Sequence, residues 1–248
     1  MDMNTHTGLE SEMAAISVAD TLGELVTTDP SLARELERFG LDYCCGGGKT
    51  IAEACSTRGL DPAAVAADLE AARVVAPPAE WSSMGAAELV DHIEATHHRY
   101  LWTELPRLSA LADKVLAAHG HRHPELGQVS DCVAAIRADL EPHLMKEERV
   151  LFPMIRELGQ ADRRPMFHCG TVRNPIAVMT VEHEQVGALL AHLRGLTDDY
   201  SVPPDGCRSY SALYAALAEL EEDTHLHVHK ENNVLFPAVE RIEAQLSL

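Results

Sequence analysis

Four long stretches of the chain carry apolar residues at helical spacing. They cover about 85–118, 127–158, 175–196 and 207–246, and connections that contain His, Gly, Arg or Pro separate them. Apolar residues that recur every three or four positions form one face of an α-helix. Four such helices joined by short connections predict an antiparallel four-helix bundle.

A smaller unit of short helices precedes these four stretches. Thr50 predicts a capped helix that ends at Gly59, and Asp61 with Pro62 predicts the start of the next one. These stop and start signals recur throughout residues 17–75. They predict a small helical domain at the N-terminal side of the bundle.

Two further segments lack a helical pattern. Residues 1–16 are polar and are predicted to form a flexible tail. Residues 76–80 contain two consecutive prolines that cannot continue a helix, so they are predicted to be a linker. The predicted fold class is therefore all-α, with the small N-terminal domain followed by a bundle over residues 81–248.

The second and fourth long stretches share an eleven-residue pattern. HLMKEERVLFP begins at His143, and HVHKENNVLFP begins 84 positions later at His227. The common pattern is H-x-x-K-E-x-x-V-L-F-P. Such a match indicates that a helical hairpin was duplicated.

The first helix of each hairpin contributes one histidine at a matching position. Apolar residues follow both His98 and His183 at +3, +7 and +10, but they do not follow His97 in this way. We therefore expect His98 and His183 to face the core and His97 to lie at the surface or a boundary. The same surface or boundary position is expected of four more histidines: His92, His192, His225 and His229.

The predicted inward positions include four imidazoles and two carboxylates. A His and a Glu four residues apart lie on one helix face, and a buried carboxylate is costly unless it is paired or binds a metal ion. The alternative is that these buried groups form hydrogen bonds or ion pairs with one another and bind no metal ion. Six such groups at symmetric positions favour a metal site over this alternative. The predicted metal ligands are His98, His143, Glu147, His183, His227 and Glu231.

Four nitrogens and two bridging carboxylates suit two metal ions. Each ion would receive two nitrogens and two carboxylate oxygens, and an oxo or hydroxo bridge would still leave a position open. Mixed nitrogen and oxygen ligation suits two iron or manganese ions better than a closed tetrahedral zinc site, and ligand softness does not separate iron from manganese. Near the ligands, Glu182 and Asp139 are either outer partners of the site or conduits for protons or ions, or they are simply solvated or hydrogen-bonded carboxylates.

Cys44 and Cys45 stand before three glycines in a loop. A helix N-terminus lowers a thiol pKa, so either residue could be a reactive thiolate that relays electrons or contacts a thiophilic partner. A strained vicinal disulfide and an ordinary loop are the other interpretations. No C-x-x-C pair is present, which argues against a zinc ribbon.

Charge and hydropathy exclude several functions. The formal net charge of −19 disfavours binding to nucleic acid. No apolar run is long enough for a membrane span, and the polar N-terminus lacks the features of a signal peptide. A cytoplasmic protein is therefore expected.

At this point the motifs resemble a known family. The run from Asp42 to Gly47 reads D-Y-C-C-G-G, and the run from Glu231 to Pro237 reads E-N-N-V-L-F-P. With the two H-x-x-x-E motifs, they are similar to the di-iron iron–sulfur cluster repair proteins, the repair of iron centres family. The resemblance begins near Val18 and covers most of the chain. The sequence departs from the pattern of this family in the tail at residues 1–16 and in apparent insertions at residues 119–123 and 163–173.

The resemblance implies a fold and a function. It implies a ScdA-type N-terminal domain over 17–75, a hemerythrin-like bundle over 81–248, and di-iron ligands at the same six positions. Family members are bacterial cytoplasmic proteins thought to restore damaged iron–sulfur clusters under nitrosative or oxidative stress by supplying iron. Iron–sulfur client proteins are then the expected partners, with Cys44 and Cys45 as redox or client-contact thiols, and a homodimer is plausible.

Two other functions remain possible from the sequence. One is a reductase that acts on nitric oxide or peroxide at the di-iron site. The other is a hemerythrin that binds or senses oxygen or nitric oxide. The cysteine domain and the ligand set of four His and two Glu argue against simple oxygen carriage.

Overall fold

The computed structural model of the protein describes residues 15–73 and 79–246. Most of the predicted tail at 1–16 and most of the predicted linker at 76–80 lie outside the described residues. The predicted all-α class is confirmed, since the described residues form helices and, beyond them, two isolated bridges. No helix among these residues is long and apolar enough to cross a membrane.

Four short helices form the N-terminal unit. Thr50 and Glu53 form the reciprocal capping box of the third helix, which ends at Gly59 in the left-handed conformation with φ of 67°. Asp61 caps the fourth helix, and Pro62 is its first residue, as the sequence predicts. The helices are α1 (Leu22–Thr28), α2 (Leu32–Arg38), α3 (Ile51–Arg58) and α4 (Pro62–Ala72).

The bundle consists of four long helices, three of which are interrupted by a π-helical segment. A 3₁₀-helix (Glu80–Ser83) precedes them. The first long helix comprises α5 (Ala86–Ile93), a π segment (Glu94–His98) and α6 (Arg99–His119). The second comprises α7 (Glu125–Lys146), a π segment (Glu147–Leu151) and α8 (Phe152–Gln160). The third is α9 (Arg173–Leu196), and the fourth comprises α10 (Arg208–His229), a π segment (Lys230–Leu235) and α11 (Phe236–Gln245).

Two of the three π segments lie in the repeated motif. The amide N–H of Phe152 donates to the carbonyl of Glu147, five residues earlier, and Phe236 donates to Glu231 in the same way. The next residue in each case is a proline, which has no N–H to donate. The local turn is therefore wider at the two repeated glutamates. By contrast, Pro106 lies inside α6, whose helical assignment continues through it.

Each long helix contacts two neighbouring long helices, so the four helices form a closed bundle. The helix α7 packs between α6 and α9, and α10 also contacts both α6 and α9. Apolar side chains form one cluster in the half of the bundle that holds Leu101, Leu140 and Leu220, and a second cluster around Phe152 and Phe236. Along each long helix, the predicted metal ligands lie between the residues of these two clusters.

The N-terminal helices pack directly on the bundle. Their own apolar cluster includes Val228 of the fourth long helix, and α1 contacts the π segment of that helix. The loop that contains Cys44 therefore lies against the part of the bundle that carries the repeated motif. The domain boundaries predicted from the sequence stay predictions.

Candidate metal centre

The structure brings all six predicted ligands together in the middle of the bundle. Every one of them is at most 2% exposed. One π segment ends at His98, and the other two begin at Glu147 and at Lys230, directly before Glu231. These wide turns therefore lie at ligand positions, where the ligand side chains point inward. The contributing residues are His98, His143, Glu147, His183, His227 and Glu231.

These residues form two overlapping groups of possible ligand atoms. One group contains His98 and His227, and the other contains His143 and His183. Glu147 and Glu231 belong to both groups, and within each group all ligand atoms lie within 4.8 Å of one another. The two carboxylates are thus shared by two pairs of imidazoles, and this donor set could hold metal ions.

Distances within the cluster are short. Glu147 Oε1 lies 3.2 Å from His143 Nε2, and its Oε2 lies 3.4 Å from His98 Nε2. Glu231 Oε2 lies 3.1 Å from His183 Nε2, and its Oε1 lies 3.4 Å from His227 Nε2. The two carboxylates therefore each reach toward both pairs of histidines.

The central atoms converge without completing ordinary hydrogen bonds. Among the described residues, no oxygen of Glu147 or Glu231 accepts a hydrogen bond of good geometry, and Nε2 of His98 and of His227 makes none, although each lies 3.4 Å from a glutamate oxygen. The Nε2 atoms of His143 and His183 face each other at 3.2 Å. Buried polar atoms normally have partners, because leaving one unsatisfied costs on the order of 1–3 kcal/mol. A bound cation would satisfy them, so the residues present fit a metal centre.

Electrostatics within the cluster favour charged carboxylates. Burial alone would raise the pKa of Glu147, but the nearby His143 and His98 hold this pKa well below its usual range. Burial opposes a charged imidazole at His143, yet the charge of Glu147 and Glu231 outweighs it and raises the pKa of His143 to about 9. The carboxylates thus attract positive charge, whether it is carried by a proton or by a metal ion.

Three of the four histidines have a polar partner on their outer nitrogen. His98 Nδ1 lies 3.0 Å from Glu148 Oε1, which also accepts from Trp102. His183 Nδ1 lies 3.0 Å from Asn232 Oδ1. Glu148 and Asn232 each follow a repeated glutamate directly, so these two contacts are equivalent by the internal repeat. Such partners fix the orientation of a metal-binding imidazole.

Glu182 is the outer partner of the third histidine. Its Oε2 lies 2.9 Å from His143 Nδ1, and its other oxygen accepts from Lys146. Of the two interpretations of Glu182 from the sequence, the structure therefore favours an outer partner. Asp139 is exposed on α7 and belongs to neither group of possible ligands in the described chain.

The repeat breaks down at the fourth histidine, His227. His97 occupies the position equivalent to Glu182, and its ring stacks on His227 at a centroid distance of 5.4 Å. His97 Nδ1 donates to Asp223 Oδ1 at 2.8 Å, and its Nε2 accepts from Nζ of Lys230 at 2.7 Å. Burial lowers the pKa of Lys230 to about 8 and raises that of Asp223 to about 6.

Comparison with known proteins agrees with this geometry. The model of the hemerythrin HHE cation binding domain matches residues 89–239, and ScdA_N, described as a domain of unknown function, matches residues 18–73. The chain is 34% identical over 218 residues to the iron-sulfur cluster repair protein YtfE of Escherichia coli O17:K52:H18 (strain UMN026), covering 87% of this chain and 94% of that protein. The same values hold for YtfE of Escherichia coli O6:K15:H31 (strain 536) and of Shigella boydii serotype 4 (strain Sb227).

The chain belongs to the family of these YtfE proteins. Its bundle is a hemerythrin HHE domain, which is a cation binding domain, and the buried His and Glu cluster can hold metal ions. The resemblance inferred from the D-Y-C-C-G-G and E-N-N-V-L-F-P motifs is thus confirmed.

The structure corrects the interpretation of two histidines. His97 is 4% exposed and His229 is completely buried, so neither is a surface residue. His229 lies between the N-terminal unit and the bundle, where its Nε2 is 3.2 Å from Thr27 Oγ1. His97 is buried beside His98 because it packs against the fourth long helix, where it contacts His227, Asp223 and Lys230. A usable signal was the internal repeat, which aligns His97 with Glu182, the outer partner of His143.

The cysteine loop of this YtfE relative differs from the expected reactive thiolate. Cys44 and Cys45 precede α3 by several residues and are not at its N-terminus. The neighbouring Cys45 thiol and burial raise the pKa of Cys44 well above its usual value. Their sulfurs are 3.9 Å apart, and both thiols are free. The loop contacts Asn232, the outer partner of His183. The Nδ2 atom of Asn232 lies 3.4 Å from the carbonyl oxygen of Cys44.

Proposed function

We propose that this protein repairs iron–sulfur clusters damaged by nitrosative or oxidative stress, and that it does so by donating iron from a di-iron centre. The observation that carries the proposal is the pair of buried carboxylates, Glu147 and Glu231. Two groups of histidines share these carboxylates, whose oxygens accept no hydrogen bond of good geometry among the described residues. The curated relatives named iron-sulfur cluster repair proteins support the assignment of the function.

In this proposal each glutamate contacts both ions. His98 and His227 would hold one ion, and His143 and His183 would hold the other. Bound iron would be the redox-active cargo of the centre, held together with an oxo or hydroxo bridge. The set contains nitrogen and oxygen ligands and no thiolate, which suits iron and also admits manganese.

The residues around the ligands define what the chain itself contributes. Glu148, Glu182 and Asn232 orient three imidazoles through their outer nitrogens. The apolar clusters above and below the centre exclude water from the carboxylates. Glu182, which pairs with Lys146, and Glu148 are both partly exposed, so the outer nitrogens of His143 and His98 each connect to a side chain at the surface.

Alternative functions lack a specific observation in their favour. Reduction of nitric oxide or peroxide, and binding or sensing of oxygen or nitric oxide, would use the same ligands. These small molecules, the iron–sulfur clients, a homodimer and a cytoplasmic location remain predictions for this chain. Cys44 and Cys45 as client-contact or redox thiols also stay a prediction.

An iron-transfer experiment tests the proposed function. Protein loaded anaerobically with isotopically labelled iron is mixed with a cluster-free iron–sulfur protein, sulfide and a competing chelator. We expect labelled iron in the rebuilt cluster, in proportion to the iron lost from the donor. The variant His143→Ala should donate much less, whereas Asp139→Ala on the exposed face of the same helix should donate normally.

Two results would contradict donation. Cluster rebuilding that proceeds while all labelled iron stays on the donor would exclude iron supply. Repeated turnover of nitric oxide or peroxide without any transfer to the client would make the protein a reductase instead.

A further inference from the structure

Outside the His and Glu centre, one more cluster of possible metal ligands exists in the described chain. It consists of Asp42, Cys44 and Cys45, whose ligand atoms lie within 4.8 Å of one another. We propose that these three side chains form a second metal site, which binds one thiophilic divalent ion and leaves a ligand position open toward solvent. The proposal goes beyond the repair function and does not depend on it.

The distances between the ligand atoms suit a tetrahedral ion. With metal–sulfur bonds of about 2.3 Å, two thiolates on one tetrahedral ion lie about 3.8 Å apart. The sulfurs of Cys44 and Cys45 are 3.9 Å apart, far beyond a disulfide bond. Asp42 Oδ1 lies 3.2 Å from Cys44 Sγ, where the thiol now donates a hydrogen bond. Small adjustments would therefore allow all three groups to contact one ion.

The loop is held in this arrangement from both sides. Asp42 Oδ1 accepts from the backbone N–H of Cys44 at 3.1 Å and of Cys45 at 2.9 Å. On the other side, Asn233 Nδ2 donates to the carbonyl oxygens of Tyr43 and Cys44, at 3.2 and 2.9 Å. A loop anchored in this way does not have to be ordered by the ion, which lowers the cost of binding.

The cluster also has access to solvent. All three residues line a surface cleft of about 740 Å³ between the N-terminal unit and the bundle. Cys44 is 6% exposed, whereas Cys45 is partly exposed and Asp42 is exposed. Both acidic and basic side chains line this cleft, and Glu221 is paired with Arg194, so the attraction for a cation comes from the three ligand groups themselves. The open side can accept water or a ligand atom from another molecule.

Binding of an ion at this site releases protons and involves no redox change. The ion forms two metal–sulfur bonds and one metal–oxygen bond, and the two thiol protons are released to solvent. No electron is transferred. The ligand set of two thiolates and one carboxylate favours softer ions than the His and Glu centre, so the two sites differ in the metal they prefer.

Cobalt titration of the full-length protein tests the proposal. The His and Glu centre is first loaded with ferrous iron under anaerobic, reducing conditions, and the reductant is removed. Cobalt(II) is then added while the near-ultraviolet band of sulfur-to-cobalt charge transfer is recorded. We expect a band that saturates at one cobalt per chain, while metal analysis shows that the iron remains in place.

Matched variants identify the ligands. Cys44→Ser and Cys45→Ser should each abolish the band of two-thiolate coordination, whereas Cys207→Ser, which removes an exposed thiol elsewhere, should leave it unchanged. Asp42→Asn keeps an oxygen acceptor for the loop but removes the charge, and should weaken cobalt binding by at least about tenfold. Unchanged iron content in each variant shows that it is folded.

Three results would overturn the proposal. The first is absence of the charge-transfer band in the unmodified protein while its iron content is normal. The second is a band that persists in the variant with both Cys44→Ser and Cys45→Ser. The third is saturation at one cobalt for every two chains, which would place the thiolates between molecules rather than in one loop.

Discussion

The side-chain amide of Asn233 occupies the space that a β-carbon at residue 47 would need. A β-carbon built on Gly47 would lie 2.2 Å from Asn233 Oδ1 and 2.6 Å from the carbonyl oxygen of Tyr43. The glycine loop of the N-terminal unit and the motif of the fourth long helix are therefore shaped to each other. The contact joins a glycine of the D-Y-C-C-G-G motif to an asparagine of the E-N-N-V-L-F-P motif.

Replacing Gly47 by alanine should destabilise the contact between the N-terminal unit and the bundle. The new methyl group meets a side chain that is itself hydrogen-bonded, so relief requires loss of those bonds. We expect the free energy of unfolding in a denaturant titration to fall by about 1–3 kcal/mol. Gly48→Ala is the matched control, because nothing lies within 4 Å of its β-carbon position. Equal unfolding midpoints for the two variants would contradict the close fit.

Asn232→Ala should weaken metal binding without removing a ligand. The amide oxygen of Asn232 orients His183, and loss of such a partner typically lowers metal affinity by about 10–100-fold. Competition with a chelator of known affinity measures the change. Asn174→Ala serves as the control, since its amide bonds the carbonyl oxygen of Cys169 instead. An affinity for metal equal to that of the control would mean that Asn232 does not position His183.

The two lysines of the repeat should respond differently to substitution. Lys230 is 3% exposed, lies over the Trp81 ring and contacts His92 and His97. Lys230→Ala leaves those imidazoles without this partner and opens a cavity, so we expect a loss of about 2–4 kcal/mol in metal-free protein.

Lys146→Ala is the matched control for the buried lysine. Its side chain is 43% exposed and pairs with Glu182, so its removal should cost less than about 1 kcal/mol. Thermal unfolding of both variants measures the difference. Losses of similar size would show that the buried network around Lys230 contributes little to stability.

Removal of metal should destabilise the whole bundle. Binding to the native state alone adds stability, about 4 kcal/mol at a metal concentration 1,000 times the dissociation constant. We therefore expect a lower melting temperature after chelation and recovery after iron is restored. In Glu231→Gln, chelation should change the melting temperature much less. Identical melting curves for metal-free and iron-loaded unmodified protein would argue that the cluster binds no ion.

Much of the fold was predictable because its signals are local. The cap at Thr50, the stop at Gly59 and the long amphipathic stretches each depend on neighbouring residues, and the structure agrees with them. The repeat between His143 and His227 also led to the six clustered residues, because duplicated hairpins place equivalent side chains at equivalent depths.

The two histidines that the sequence placed wrongly are buried by contacts between helices. The spacing of apolar residues favours His98 over its neighbour, but His97 is also buried because it packs on His227 and contacts Asp223 and Lys230. The burial of His229 depends instead on docking of the N-terminal helices, which no local pattern reports. Likewise, the Cys44 thiol pKa is set by its contact with Cys45 and by burial rather than by a helix end.

The iron content of the ligand variants tests the central claim most directly. The protein and its variants Glu147→Ala and Glu231→Ala are reconstituted with ferrous iron without oxygen, desalted and analysed for metal and protein. The proposed centre predicts about two irons per chain in the unmodified protein and a strong loss of both ions in either variant, because each glutamate bridges the pair. Retention of two tightly bound irons in both variants, or a single zinc ion in the unmodified protein, would contradict the di-iron centre.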